Sequence, residues 1–126
     1  MVTVSSKRHR RGSIQFDDLT GVKDYSPTAF YAQSKFANVL FGLELHRRLT
    51  ATGSPVHSLL AHPGYAATEP TARSGQFIGP DGRGEMRGHP TLVRAVPSAE
   101  DPATATRLWT LSEELTGVHH LKRVSG

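Results

Sequence analysis

The first residues of the chain alternate between apolar and polar side chains. Met1-Val2-Thr3-Val4-Ser5-Ser6 is also β-branched, which predicts a short strand that runs into a loop at the serines. Further along, apolar residues from Phe36 to Leu49 recur at helical spacing and cover more than one face. Ser26-Pro27 is typical of a helix start, with serine as the N-cap and proline at the first helical position. We therefore predict a mostly buried helix from there to about Thr50, with Gly53 just past its end.

A second strand is predicted from Val56 to Ala61, and His62-Pro63-Gly64 ends it abruptly. A helix between two such strands is the βαβ pattern of a parallel sheet. A second helix is predicted to open at Glu100-Asp101-Pro102, and Ser112-Glu113-Glu114-Leu115-Thr116-Gly117 closes it. The pattern therefore favours an α/β fold.

The region from Ala66 to Pro102 is rich in glycine, proline and arginine and follows neither period. A long segment of this kind is typical of a lid or an insertion. Within it, Gly79-Pro80-Asp81-Gly82-Arg83-Gly84 superficially resembles a phosphate-binding loop. No predicted strand precedes it and no predicted helix follows at the right place, so we predict an irregular loop.

Composition narrows the protein class. The 126 residues suit one small domain, and the absence of cysteine excludes disulfides and thiol chemistry. No apolar run approaches the ~20 residues of a membrane span, and no secretory signal is visible, so we expect a cytoplasmic protein. The net charge of +4 arises partly from Lys7-Arg8-His9-Arg10-Arg11. This run predicts a solvated loop, with a polyanion contact as the alternative; no nucleic-acid motif surrounds it.

Tyr31 and Lys35 are four residues apart and therefore lie on one face of the predicted helix. An ammonium group beside a phenol favours the phenolate, so the phenol can donate or accept a proton near neutral pH. Ser6 and Pro63-Gly64 follow the carboxyl ends of the two predicted strands, at the edge where ligands bind in parallel sheets. We expect all three elements to meet at this rim. The spacing alone also fits an ordinary helix with one solvated lysine.

The seven histidines show no spacing typical of a metal site, and we predict no metal. Ser6 with a histidine is an alternative pair for acyl transfer, but no Gly-x-Ser-x-Gly elbow is present.

Four stretches together resemble the short-chain dehydrogenase/reductase family, and most closely its retinol-dehydrogenase-like branch. They match that branch in order and spacing, and they are Val2-Thr3-Val4-Ser5-Ser6, Tyr31-Ala32-Gln33-Ser34-Lys35, His62-Pro63-Gly64-Tyr65-Ala66-Ala67-Thr68 and Ser112-Glu113-Glu114-Leu115-Thr116-Gly117. The resemblance covers nearly the whole chain but only the C-terminal half of the family's domain. It implies that residues 1–126 form the truncated C-terminal part of a Rossmann-type doubly wound parallel sheet, with a substrate-loop region at 65–98.

The resemblance also implies a role for particular residues. Tyr31 would be the general acid or base, Lys35 would favour its ionised form and bind the nicotinamide ribose, and Ser6 rather than Ser5 would polarise the carbonyl. The segment from Glu69 to about Val96 would be the substrate lid. The cofactor-binding residues for NADP or NAD would be Tyr31, Lys35, Pro63, Gly64, Tyr65 and Thr68.

Three parts of the family's pattern do not appear in this sequence: the glycine-rich turn, the residue that selects NAD or NADP, and the catalytic asparagine. We therefore expect a truncated product or a miscalled start, with impaired hydride transfer between an alcohol and a ketone or aldehyde. The alternative is a non-catalytic remnant or interaction module without cofactor binding. The first strand would be an exposed edge that favours self-association.

Overall fold

The computed structural model describes residues 1–62, 72–85, 87–119 and 121. Short 3₁₀ segments occupy Lys7–Arg11, Arg83–Glu85 and Pro97–Glu100. The helices and strands, in chain order, are β1 (Val2–Val4), α1 (Pro27–Ala51), β2 (Leu59–Ala61), β3 (Phe77–Pro80), β4 (Pro90–Leu92) and α2 (Pro102–Thr116).

The described strands form one sheet in the order β1-β2-β3-β4. Strands β1, β2 and β3 are parallel, with Val4 opposite Ala61 and Ala61 opposite Ile78. Strand β4 runs antiparallel to β3 and pairs Leu92 with Ile78. The predicted α/β fold and the parallel pairing of the first two strands are confirmed.

Helix α1 begins and ends as its sequence predicts. The Ser26 hydroxyl accepts a hydrogen bond from the Ala29 amide at 3.4 Å, and Pro27 occupies the first turn. At the other end the Thr52 amide donates to the Arg48 carbonyl at 3.1 Å. Gly53 then adopts a φ of +65°, which a residue without a Cβ reaches at little cost.

Helix α2 is capped by Asp101, whose carboxylate accepts from the Ala103 and Thr104 amides at 3.2 and 3.1 Å. The helix packs on α1 through Trp109, which stacks on Phe41 with ring centroids 5.5 Å apart. The Arg48 guanidinium lies 4.5 Å from the Trp109 ring centroid, a cation–π contact that also ties the two helices together.

The main core lies between α1 and the sheet. One face of α1 is buried, and Gly42 lets Leu60 of β2 approach the helix backbone. Burying each large apolar side chain stabilises the fold by about 1.5–3 kcal/mol. The buried hydrophobic residues of this cluster are Phe36, Val39, Leu40, Leu60, Phe77, Ala95, Ala99 and Ala105.

No strand was predicted between Ala66 and Pro102, whereas the chain forms β3 and β4 there. The segment Gly79–Gly84 is likewise not a loop throughout, because Gly79 and Pro80 end β3. Strand β3 is buried on both sides and only four residues long, so it shows no alternation of apolar and polar positions. Glycine and proline are uncommon in strands, so Gly79 and Pro80 made this strand difficult to predict from the sequence.

Within the described part of the chain, no helix combines the length and apolarity that a membrane span requires. The predicted strand end at Pro63-Gly64 lies outside the described residues, as do Tyr65 and Thr68.

Candidate active site

The two serines after β1 have different environments. Ser5 is buried; its amide donates to the Ala61 carbonyl at 2.8 Å, and its hydroxyl donates to the Lys35 carbonyl at 2.9 Å. Ser6 is partly exposed, and its Oγ accepts from the Arg8 amide at 3.2 Å, so that it caps the 3₁₀ segment. The Ser6 oxygen is thus an acceptor towards the protein, and its hydroxyl proton can be donated to a ligand.

Tyr31 and Lys35 lie one turn apart near the start of α1, as predicted. Tyr31 is 49% exposed, and the Lys35 ammonium lies 5.4 Å from the centroid of its ring. The Ser34 hydroxyl donates to the Tyr31 carbonyl at 2.7 Å. A phenol that is accessible to a ligand and has a cation beside it is suited to proton transfer.

The serine segment and the tyrosine–lysine turn are joined directly. The bond from Ser5 Oγ to the Lys35 carbonyl fastens the residue next to Ser6 onto the helix turn that carries both predicted side chains. The structure therefore places the loop that carries Ser6 next to the helix turn that carries Tyr31 and Lys35. It says nothing of Pro63, Gly64, Tyr65 and Thr68, which lie outside the described residues.

Asn38 reinforces this edge and was not singled out from the sequence. Its side-chain amide donates to the Val4 carbonyl at 2.8 Å, so α1 holds the last residue of β1 as well as Ser5. A signal was present: Asn38 follows Tyr31 by seven residues and Lys35 by three, which places it on the same helix face.

The loop after the serines packs tightly on the start of α1. A Cβ at Gly12 would lie 2.4 Å from the Ala32 carbonyl oxygen, so only glycine allows this approach. The Gln15 amide donates to the Gln33 side-chain oxygen at 2.7 Å. These contacts bind the loop to the helix turn that separates Tyr31 from Lys35.

The basic run is not simply a solvated loop. The Lys7 ammonium donates to the Gly84 carbonyl at 2.9 Å, and Arg10 forms a 2.8 Å ion pair with Glu85 and donates to the Arg94 carbonyl at 3.1 Å. Two of its cations thus tie the serine loop to the segment around β4.

His9, within the same run, is completely buried. Its Nδ1 lies 2.7 Å from the Ser6 carbonyl oxygen, and its Nε2 accepts from the Val96 amide at 3.2 Å. Burial lowers the pKa of His9 below 6.5, outweighing the Ser6 bond and Glu85, which act in the opposite direction. The imidazole is therefore neutral near pH 7.

His62, the last described residue before Pro63, is also buried. Its Nε2 lies 2.9 Å from Glu85 Oε2, although neither atom has a hydrogen-bond partner of good geometry among the described residues. Burial lowers the pKa of His62 below 6.5 despite the nearby Glu85 carboxylate. Gly79 makes room for this ring, because a Cβ there would lie 2.7 Å from His62 Nε2.

Sequence comparison finds relatives of this chain among known dehydrogenases. Human retinol dehydrogenase 12 is 32% identical in an alignment that covers 94% of this chain and 46% of that protein. Mouse polyprenol dehydrogenase is 51% identical over 69 residues, which cover 55% of this chain and 21% of that protein. Both are short-chain dehydrogenases/reductases.

Across 94% of its length the chain is similar to a member of the short-chain dehydrogenase/reductase family. Within that family it resembles the retinol-dehydrogenase-like branch, as its four sequence stretches predict. No family model matches the chain.

The crystal structure of an uncharacterised protein from Mycobacterium paratuberculosis has the same fold, with a TM-score of 0.85 and 40% identity. The match covers 94% of this chain and 50% of that one. The chain therefore spans about half the length of this neighbour and less than half the length of retinol dehydrogenase 12.

Proposed function

We propose that this chain carries the proton-transfer half of an NAD(P)-dependent oxidoreductase that moves a hydride between an alcohol and a ketone or aldehyde. The observation that carries the proposal is the bond from Ser5 Oγ to the Lys35 carbonyl. It holds the serine loop against the tyrosine–lysine turn, which supports a shared site for the three groups that we propose handle a carbonyl oxygen.

Tyr31 is the proposed general acid in reduction and the general base in the reverse direction. Its half-exposed phenol donates a proton to the carbonyl oxygen as negative charge develops there. The Lys35 ammonium, 5.4 Å from the ring centroid, stabilises the phenolate that remains. Positioned acid–base groups of this kind contribute about 10²–10⁴ in rate.

Ser6 is the proposed orienting donor for the carbonyl. The Arg8 amide already donates to Ser6 Oγ, and a hydroxyl that accepts one hydrogen bond is a stronger donor of its own proton. The Ser5 hydroxyl is committed to the Lys35 carbonyl, which supports Ser6 as the residue that contacts the substrate.

NADP or NAD is the proposed cofactor, and a bound nicotinamide would supply or accept the hydride. The residues that are described fit such a group: Lys35 presents an ammonium to the open edge beside Tyr31, suited to a ribose hydroxyl. We expect Pro63, Gly64, Tyr65 and Thr68 to complete its binding site. The relatives are a retinol and a polyprenol dehydrogenase by name, and we propose a small carbonyl or alcohol as the substrate class.

Self-association through β1 belongs to the same proposal. Among the described strands, β1 has β2 as its one neighbour, so its outer edge is open to pairing with another chain. Sedimentation velocity tests this: a concentration-dependent dimer supports it, and a monomer at all concentrations contradicts it. A cytoplasmic location stays a prediction.

Titration with NADH and NADPH, followed by fluorescence of the bound nicotinamide, tests the proposed function. Saturable binding and turnover of a ketone, lost in Tyr31→Phe, would support it. Absence of binding at millimolar cofactor would contradict it for this chain and favour the alternative, a non-catalytic interaction module.

A further inference from the structure

His9 contacts the proposed carbonyl-orienting serine from inside the protein. The Ser6 carbonyl accepts two hydrogen bonds from this one residue, from the backbone amide at 3.0 Å and from the imidazole Nδ1 at 2.7 Å. The carbonyl of Ser6 therefore has little freedom to rotate. Because the carbonyl and the side chain share one Cα, fixing the peptide plane helps to fix the Cα–Cβ direction, and the Arg8 amide then holds Oγ at 3.2 Å.

The second nitrogen of His9 defines its protonation state. A backbone N–H can only donate, so Nε2, which receives the Val96 amide at 3.2 Å, must be unprotonated. The proton of the neutral ring is then on Nδ1, where it is donated to the Ser6 carbonyl. The two partners together select the Nδ1–H tautomer.

His9 also connects Ser6 to a distant part of the chain. Val96 precedes the 3₁₀ segment Pro97–Glu100, and the His9 ring packs against Phe77 of β3 with centroids 5.3 Å apart. The side chain is completely buried, so none of these contacts is shared with solvent. His9 therefore connects Ser6 to the sheet and to the segment that leads into α2.

We propose that His9 is the positioning residue for Ser6: its neutral imidazole, held by Val96, orients the Ser6 peptide and so the hydroxyl that faces the substrate. The inference rests on the proposed function for the role of Ser6, and on the geometry alone for the bond itself. It assigns a task to a histidine that contacts neither substrate nor cofactor.

Two variants of the full chain distinguish the bond between His9 and the Ser6 carbonyl from the bond between His9 and the Val96 amide. In His9→Asn the side-chain amide reaches about as far as Nδ1 and retains a donor for the Ser6 carbonyl. In His9→Gln the amide reaches the Nε2 position, where its oxygen accepts from Val96 while the bond to Ser6 is lost. His46→Asn is the matched control, because His46 Nδ1 bonds Ser74 Oγ at 2.9 Å away from the serine loop.

The first measurement is ¹⁵N NMR of the histidine side chains and of the Ser6 resonances. We expect a protonated Nδ1 and a bare Nε2 for His9 at pH 7, with Ser6 shifts that change strongly in His9→Gln and much less in His9→Asn. A protonated Nε2, or equal changes of Ser6 in both variants, would overturn the proposal whether or not the chain is an enzyme.

The second measurement is steady-state turnover of a ketone with NADPH or NADH. We expect His9→Gln to lower kcat by about 10- to 100-fold, as for a misplaced catalytic group, and His9→Asn to lose less. If kcat falls in proportion to the melting temperature in both His9 variants and in His46→Asn, His9 has only a structural role. Absence of turnover in the unmodified chain would instead contradict the proposed function and leave the NMR result to decide the position of Ser6.

Discussion

The Lys35 ammonium lies 5.4 Å from the centroid of the Tyr31 ring, one helical turn away and at the exposed edge of the sheet. The phenol packs little apolar surface, since Tyr31 is 49% exposed. Its hydroxyl can therefore be removed with little effect on the fold. A substitution of Tyr31 can therefore test the proposed proton transfer without a large change in the stability of the fold.

We accordingly expect Tyr31→Phe to abolish ketone reduction while changing the free energy of unfolding by no more than about 0.5 kcal/mol. The measurements are turnover and urea unfolding. Tyr25→Phe is the matched control, because Tyr25 is another exposed tyrosine, 64% accessible, outside the site. Retained turnover in Tyr31→Phe would remove this residue from the mechanism.

The two serines should respond in opposite ways to replacement by alanine. Ser5→Ala removes the donor to the Lys35 carbonyl and should cost about 1–3 kcal/mol, because a partly buried acceptor loses its partner. Ser6→Ala should lower kcat more than it lowers stability, since its cap to Arg8 is exposed. Equal effects of both variants on turnover after correction for the folded fraction would contradict the distinction.

Asn38 should contribute to the stability of the edge that carries the site. Asn38→Ala leaves the Val4 carbonyl without its 2.8 Å donor, and we expect a loss of about 1 kcal/mol in urea unfolding. Asn38→Asp should cost more, because its carboxylate would face the carbonyl oxygen. Hydrogen exchange at the Ser5 amide, which bonds Ala61, should accelerate in both variants. Unchanged exchange would show that α1 does not hold β1 through this side chain.

Stability should fall as the pH is lowered from about 7 to 5. Burial lowers the pKa of His9 and His62 below 6.5, so the unfolded chain binds protons at a higher pH than the folded one. The two histidines contribute fully to the free energy of unfolding above pH 6.5, and this contribution is lost as the pH falls towards their pKa values in the folded protein. Lys7, Arg10, Glu85 and the two rings themselves are the charged or titratable groups that act on these histidines.

Melting temperature against pH measures this effect. The slope between pH 7 and 5 should be smaller in His62→Asn and smaller still in the double variant with His9→Gln. Asp101 does not interfere, because the Thr104 hydroxyl and amide hold the pKa of Asp101 below 3.8, so its stabilisation is lost only at lower pH. A slope that is the same in all three proteins would contradict the assignment.

Helix α2 should depend on Trp109. Trp109→Ala removes the stacking on Phe41 and the surface under Arg48, and we expect a loss of about 3–5 kcal/mol. Leu115→Ala on the same helix is the control, because Leu115 is 71% exposed and should change stability by less than about 0.5 kcal/mol. Similar losses in both would indicate that α2 does not dock as described.

Local chemistry made much of this fold predictable. The cap at Ser26-Pro27 and the glycine at position 53 mark α1 in the sequence because they satisfy helix ends without help from the rest of the chain. The tyrosine and lysine were equally visible, since a helix places them together by spacing alone.

Strand β3 and the contacts of His9 were not predictable for the opposite reason. The β3 strand is stabilised by its neighbours and not by its own pattern, as its four buried residues show. His9 joins Ser6 to Val96, 87 residues away, and no local rule encodes a bond across that separation. Contacts between residues that are far apart in the sequence therefore determine both features.

Gly79 on β3 leaves room for the ring of His62, the residue that follows β2, and this restricts which substitutions the two positions tolerate. A side chain at position 79 would collide with the imidazole at 2.7 Å, so replacement there needs a smaller residue at position 62 first. Among homologues the two positions should vary jointly, with a bulky residue tolerated at one only when the other is small. Such covariation would link a strand deep in the C-terminal segment to the residue that immediately precedes the expected nicotinamide turn.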